Sequence, residues 1–134
     1  MKSTARLLVV LGGLLALGAA RAEDSPLRVT ELDVCEDIVD RTCRGGDKSF
    51  SSELESVSFV TRVEGATGEA FVTHVWTFEG EEVRRIRLPI RKISYRTWSK
   101  KTIKKLPGRW KAEVLDPLGR SLGAVEFVVR APQT

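Results

Sequence analysis

Short segments in which apolar and polar residues alternate recur along the sequence, and they constrain its fold more than any other feature. Val57, Phe59, Thr61 and Val63 repeat with a period of two, which places their side chains on one face of a β-strand. Ala70 to Phe78 is rich in β-branched and aromatic residues, which favour strand over helix. We therefore predict an all-β domain, an immunoglobulin-like antiparallel β-sandwich of about seven strands, with an open barrel as the alternative.

Turn residues separate the predicted strands, with one longer polar loop from Glu36 to Phe50 after the first strand. Pro89 lacks a backbone donor, so the fourth strand is expected to lie at an edge or to end there. Asp116 to Gly119 is expected to form a tight turn, and the fifth strand to contain a break. The seven predicted strands are Leu27–Val34, Val57–Val63, Ala70–Phe78, Val83–Ile90, Ile93–Ile103, Arg109–Leu115 and Leu122–Arg130.

The N-terminus has the pattern of a secretory signal peptide. Basic residues precede an apolar run from Leu7 to Leu17, and Ala20-Arg21-Ala22 has the small-x-small pattern of a cleavage site. The run is shorter than the roughly 20 apolar residues that span a membrane, and no later run approaches that length. We predict a signal peptide over residues 1–22 and a single β-sandwich domain over 23–134. The protein would be exported to the periplasm or the extracellular space, without a transmembrane segment in the mature chain.

Charge is divided unevenly along the chain. The formal net charge of +4 falls to +1 without residues 1–22, yet residues 84–111 contain 12 basic and no acidic residues. Residues 23–82 contain 15 acidic and five basic ones. One interpretation is a basic face for an anionic partner. The other is pairing of the basic strands with acidic neighbours, which would neutralise the surface. Nucleic acid is not expected as a partner of an exported chain with few aromatic residues.

Cys35 and Cys43 are the two cysteines of the chain. Export to an oxidising compartment favours a disulfide between them, which would close a short loop and contribute about 2.5 kcal/mol. Four acidic residues crowd that loop without the regular spacing of a calcium site, so no metal site is predicted. They are Glu36, Asp37, Asp40 and Asp47.

The single histidine and the three tryptophans all lie between residues 74 and 110. His74 is expected to pack beside Trp76 with its ring nitrogens hydrogen bonded, or else to contact a ligand. Trp76 and Trp110 are expected in the core, and Trp98, flanked by basic residues, is the best candidate for exposure. No pair of catalytic groups can be assembled around one histidine, so we predict no catalytic residues and no cofactor. The candidate binding residues are His74, Tyr95, Arg96, Trp98, Lys100 and Lys101.

Several of these residues occur in an order that resembles the bacterial DUF2914 family, a domain of unknown function. The motifs are His74-Val75-Trp76, Arg96-Thr97-Trp98-Ser99-Lys100 and Gly108-Arg109-Trp110, and the resemblance extends from about Leu27 to Val129. This chain has Tyr95 where the family pattern has tryptophan, and it lacks a cysteine near Ser58. The resemblance implies an exported or membrane-associated β domain and brings no catalytic residues.

From these patterns we expect a non-catalytic binding domain of the bacterial cell envelope that contacts an anionic partner through a basic face. The alternative is carbohydrate or cell-wall glycan binding through Trp98 and Tyr95. The expected partner is accordingly an envelope protein, a glycan or an anionic surface.

Overall fold

The computed structural model describes residues 26–133, which form nine β-strands and no helix. This part of the chain therefore has no helix long and apolar enough to cross a membrane. The predicted signal peptide lies outside the described residues. The strands are β1 (Arg28–Val39), β2 (Thr42–Gly46), β3 (Ser49–Ser51), β4 (Ser56–Glu64), β5 (Ala70–Phe78), β6 (Glu81–Ile90), β7 (Ser94–Thr102), β8 (Gly108–Leu115) and β9 (Ser121–Arg130).

The strands form two sheets in a sandwich-like arrangement, which confirms the predicted all-β class. The four-stranded sheet has the order β2-β1-β4-β7, and the five-stranded sheet has the order β3-β9-β8-β5-β6. Strand pairs within residues 26–133 are antiparallel except for β3 with β9, which is parallel. β6 and β7 are consecutive in sequence but end different sheets.

The prediction of a loop from Glu36 to Phe50 is wrong, because this segment contains the end of β1, all of β2 and most of β3. Strands β2 and β3 are the two that the sequence patterns did not predict. β1 continues to Val39 and pairs with β2, so that Ile38 lies opposite Cys43, and the short β3 pairs with β9. These residues are mostly polar and solvent-exposed, so backbone pairing forms here without the apolar alternation by which a strand is recognised. The predicted break in the fifth strand is also absent, because β7 pairs with β4 without a shift in register.

The core lies between the inner faces of the two sheets. Val57, Phe59 and Val63 of β4 are fully buried, as the period-two pattern predicted, and they face Val72 and Trp76 of β5 in one cluster. Trp76 and Trp110 are buried as expected, with exposed fractions of 0% and 3%. Their rings pack against Phe127, with centroid separations of 6.3 and 6.0 Å. These three rings belong to the five-stranded sheet, and Phe59 of the four-stranded sheet packs against Trp76 with a centroid separation of 6.0 Å. Aromatic side chains from both sheets therefore meet in the core.

The β1–β2 hairpin curls over the outer face of the four-stranded sheet. Although β2 and β7 lie at opposite ends of that sheet, the carbonyl oxygen of Arg41 in the hairpin turn accepts a hydrogen bond of 2.9 Å from Arg96 of β7. The predicted disulfide between Cys35 and Cys43 joins the two strands of this hairpin. Val60 on the outer face is consequently inaccessible to solvent.

Candidate functional site

Most of the basic segment, residues 84–111, lies on β6, on β7 and in the connection between them, and its last residues lead into β8. β6 is the last strand of the five-stranded sheet, β7 is the last strand of the four-stranded sheet, and the two strands contact each other. We call these strands and residues 91–93 between them the β6–β7 edge. This edge carries no acidic residue of its own after Glu82.

Ion pairs neutralise only a minority of the 12 basic residues in this segment. Four have a carboxylate within 4.0 Å, namely Arg85 with Glu82, Arg96 with Glu31, Lys104 with Glu55, and Lys111 with Glu113. The others have no such carboxylate among residues 26–133. Pairing with acidic neighbours therefore does not account for the charge of the segment. The eight unpaired cations are Arg84, Arg87, Arg91, Lys92, Lys100, Lys101, Lys105 and Arg109.

The predicted binding residues of β7 divide between its two faces. Because side chains alternate along a strand, Arg96, Trp98 and Lys100 lie on the outer face of the sheet, opposite Arg62, Val60 and Ser58 of β4. Tyr95 packs against the core from the inner face. Lys101 lies on the inner side at the rim, where its ammonium is 5.7 Å from the centroid of the Trp110 ring.

A cluster of polar contacts fixes Arg96 and covers Trp98. The carboxylate of Glu31 accepts hydrogen bonds from Arg96 at 2.8 Å and from Arg62 at 3.3 Å. Burial acts to raise the pKa of Glu31, but the hydrogen bonds from Arg96 and Arg62 outweigh it, so the pKa is lowered. The Arg41 guanidinium lies 5.6 Å from the centre of the Trp98 ring, which is half-buried rather than freely exposed.

His74 lies in a polar network inside the core and does not reach the surface. Its exposed fraction is 0%, and its ring centroid lies 4.4 Å from that of Phe59. The Nδ1 atom lies 2.6 Å from Ser99 Oγ, and Nε2 lies 3.1 Å from Thr61 Oγ1. Trp76 Nε1 also donates to Ser99 Oγ, at 3.0 Å. The network joins β5 to β4 and β7, so it connects the two sheets.

The distances indicate how the protons of this network are arranged. A separation of 2.6 Å fits a hydroxyl donor, and 3.1 Å fits a ring N–H donor. We infer that Ser99 donates to Nδ1 while it accepts from Trp76, and that Nε2–H donates to Thr61. Burial lowers the pKa of His74 from 6.5 to about 3, so the ring is neutral near pH 7.

Of the six candidate binding residues, the structure brings only Arg96, Trp98 and Lys100 together on one surface. Glu31 and Arg41 contact this surface from β1 and the hairpin turn, and no pattern in the sequence predicts them. They are more than 50 residues from Arg96, and no local motif marks them. Ser99 was also missed as a partner of His74, although its alternation with Trp98 and Lys100 places it on the inner face.

The acidic residues near the disulfide do not form a metal centre in the structure. Within residues 26–133, no group of three or more histidine, cysteine, aspartate or glutamate side chains is close enough to hold a metal ion. Glu36, Asp37, Asp40 and Asp47 are all exposed.

Comparison with known proteins identifies the second half of the domain. No curated protein matches the sequence. A family model described as "Protein of unknown function (DUF2914)" matches residues 69–129, a shorter stretch than the resemblance from Leu27 to Val129. The match covers β5 to β8 and most of β9, and so includes His74, Trp76, the β6–β7 edge and Trp110. The part of this domain that belongs to the DUF2914 family therefore spans residues 69–129.

Proposed function

We propose that the protein is a non-catalytic binding domain of the bacterial cell envelope and that it binds an anionic partner through the β6–β7 edge. The observation that carries this proposal is the excess of unpaired cations: six of the eight basic residues of this edge lack a carboxylate neighbour among the described residues. Clustered cations on one side of a domain raise the local concentration of anions and accelerate their association.

The unpaired cations occur along both strands of the edge and in the connection between them. Arg84 and Arg87 are exposed on β6, Arg91 and Lys92 are exposed in the connection, and Lys100 is exposed on β7. An extended anion could therefore contact cations on both strands, whereas a small anion would contact only a few. This favours a polymeric or multivalent partner.

A binding role is better supported than catalysis by the position of His74. The ring has no exposed surface, and both nitrogens are engaged by Thr61 and Ser99 in the core. A general base must come within hydrogen-bond reach of the proton that it abstracts, which a substrate in solution could not achieve here without opening the core.

Glycan binding through Trp98 and Tyr95 has less support. The two rings lie on opposite faces of β7, so one sugar could not stack on both. Trp98 is further covered by Arg41. A glycan that carries acidic groups would still be compatible with the β6–β7 edge as a polyanion.

Export to the periplasm or the extracellular space belongs to the same proposal, supported by the signal-peptide pattern and by the disulfide between Cys35 and Cys43. We further propose that the sandwich is immunoglobulin-like. The mostly antiparallel pairing and the buried Trp76 support this, although the disulfide joins neighbouring strands of one sheet rather than the two sheets.

The proposed function is tested by capture of partners from cell-envelope extract in low and in high salt. The variant Arg91→Glu/Lys100→Glu removes cations of the β6–β7 edge. The matched control Lys48→Glu/Arg130→Glu makes the same change in net charge at exposed positions of the β3–β9 end of the five-stranded sheet, which lies opposite β6. We expect a partner that is retained only in low salt, lost with the first variant and kept by the control. A partner that is indifferent to salt and to both variants would contradict the proposal.

A further inference from the structure

The backbone of β7 is the longest regular open edge in the described part of the chain. Its nine residues pair with β4 from Ser94 to Thr102 without a shift in register, and the other side of β7 has no hydrogen-bonded strand. It contains no proline and no bulge. Unpaired N–H and C=O groups along such an edge can accept an additional strand.

The other three open edges are each obstructed or short. β6 carries Pro89, and its bulged residue Val83 interrupts the register with β5 between Arg84 and Glu82. β3 has three residues. β2 has five residues, ends in two glycines and is part of the disulfide-linked hairpin. Proteins commonly blunt exposed edges in these ways, and β7 has neither a short length, a proline nor a bulge.

The charges around β7 select the kind of strand that could pair with it. Lys100 and Lys101 lie at its end without a carboxylate partner among the described residues, and Arg96 is held by Glu31. In an antiparallel pairing of two β7 strands centred on Trp98, Lys100 would lie opposite Arg96 of the second copy, and like charges opposite each other on neighbouring strands are unfavourable. A strand with acidic side chains would instead gain attraction from the same positions.

We propose that the anionic partner is an acidic polypeptide segment that adds to the four-stranded sheet as a strand beside β7. Its backbone would pair with the open edge, and its acidic side chains on the outer face would lie beside Lys100. The next outer-face side chain of the added strand would contact the edge of the Trp98 ring. This inference rests on the proposed function and gives its partner a chemical class and a conformation.

Side-chain contacts on both faces of β7 hold the strand in the conformation that an added strand would pair with. Ser99 is bonded to His74 and Trp76 in the core, and Arg96 is tied to Glu31 and to the hairpin turn. Both faces of the strand are therefore fixed before a partner arrives. A rigid edge loses little conformational freedom on binding, so more of the interaction free energy appears as affinity.

The test is a titration of the purified protein with a labelled peptide of the length of β7 that alternates glutamate and threonine. Two further peptides have the same sequence but carry N-methyl groups on one or the other set of alternate residues. Only one set of N–H groups can face β7, so the two methylated peptides are matched controls for each other. Inorganic polyphosphate, titrated alongside, measures binding by charge alone.

We expect the parent peptide to bind, one methylated peptide to bind about tenfold more weakly or worse, and the other to retain its affinity. Lys100→Glu should weaken the parent peptide about tenfold, and Lys48→Glu should leave it unchanged. Equal affinity of both methylated peptides, or binding of polyphosphate but no peptide, would overturn strand addition and leave the proposed function standing. If neither the peptides nor polyphosphate bind, both proposals fail.

Discussion

The two strands of the β6–β7 edge share a basic composition but differ in the regularity of their backbones. β6 carries Pro89 and the bulged residue Val83, and its Arg85 is paired with Glu82. β7 pairs with β4 without a shift in register, and Lys100 near its end has no carboxylate within 4.0 Å among residues 26–133. Edges are usually protected by charge, by proline or by a bulge, and β6 has all three. The positive charge is the only one of these features that the two strands share.

The difference between the two backbones indicates that the positive charge has a different effect on each strand. On β6, charge adds to other obstacles and keeps the edge unpaired. On β7, where no backbone irregularity blocks pairing, it disfavours basic strands and attracts acidic ones. The two strands also differ in anchorage, since β7 contributes Ser99 to the buried polar network and β6 contributes no side chain to it.

The largest expected effect on stability comes from removing the hydroxyl of Ser99, through which β7 contacts the buried polar network. Ser99→Ala removes the hydroxyl that serves both His74 and Trp76 and leaves two buried polar groups without a partner, so we expect the free energy of unfolding to fall by about 2–4 kcal/mol. Denaturant unfolding measures it. Ser94→Ala is the control on the same strand; it removes only an exposed hydrogen bond of 3.1 Å from Arg62 and should cost less than about 1 kcal/mol. Equal effects of the two substitutions would show that β7 is not anchored through Ser99.

The next effect concerns the hairpin that covers the outer face of β7 but has no counterpart on β6. Replacing both cysteines, as Cys35→Ser/Cys43→Ser, should lower the free energy of unfolding by about 2.5 kcal/mol through the closed loop. The released turn should also expose the ring of Trp98, which Arg41 covers. A red shift of tryptophan emission that disappears in a Trp98→Phe background would report this. An unchanged emission would mean that the turn stays in place without the disulfide.

The pH dependence of the free energy of unfolding tests the hydrogen-bonded contact between His74 and Ser99 through the titration of His74. The folded pKa of about 3 lies below the unfolded value of 6.5, so protonation favours the unfolded chain once the pH falls below 6.5. The free energy of unfolding should fall by about 2 kcal/mol between pH 7 and pH 5. The carboxyl groups with lowered pKa values, Glu31, Glu82 and Asp116, lose their contribution at lower pH.

The variant His74→Gln keeps hydrogen-bonding groups at this position without a group that titrates between pH 5 and 7. Its stability profile should be flat in this window, whatever its absolute stability. A profile as steep as that of the parent protein would assign the pH dependence to another group.

The smallest expected effect is on β6. Pro89→Thr restores a backbone donor at an exposed position, and we expect the free energy of unfolding to change by less than about 1 kcal/mol. Because the bulge at Val83 remains, the acidic peptide should bind this variant with unchanged affinity. A gain in affinity would mean that β6 competes with β7 for the added strand.

The sequence predicted those parts of the fold in which a strand has one face in the core. Val57 to Val63 and Ala70 to Phe78 were placed correctly because burial of one face requires alternation. The strands β2 and β3 were missed because they contribute little apolar surface. The contact of Arg41 with β7 could not be predicted, since it depends on how far the hairpin curls over the sheet. The contact of Glu31 depends on the register of three strands, which places Glu31, Arg62 and Arg96 in one row, and no local pattern shows this.

The most direct test of the difference between β6 and β7 is amide hydrogen exchange, resolved by residue, with and without the acidic peptide. Strand addition predicts that alternate amides from Ser94 to Thr102, those on the open edge, exchange rapidly in the free protein and become protected when the peptide binds. Amides of β6 should not change. Protection of β6 instead of β7, or binding without protection of any β7 amide, would contradict the account.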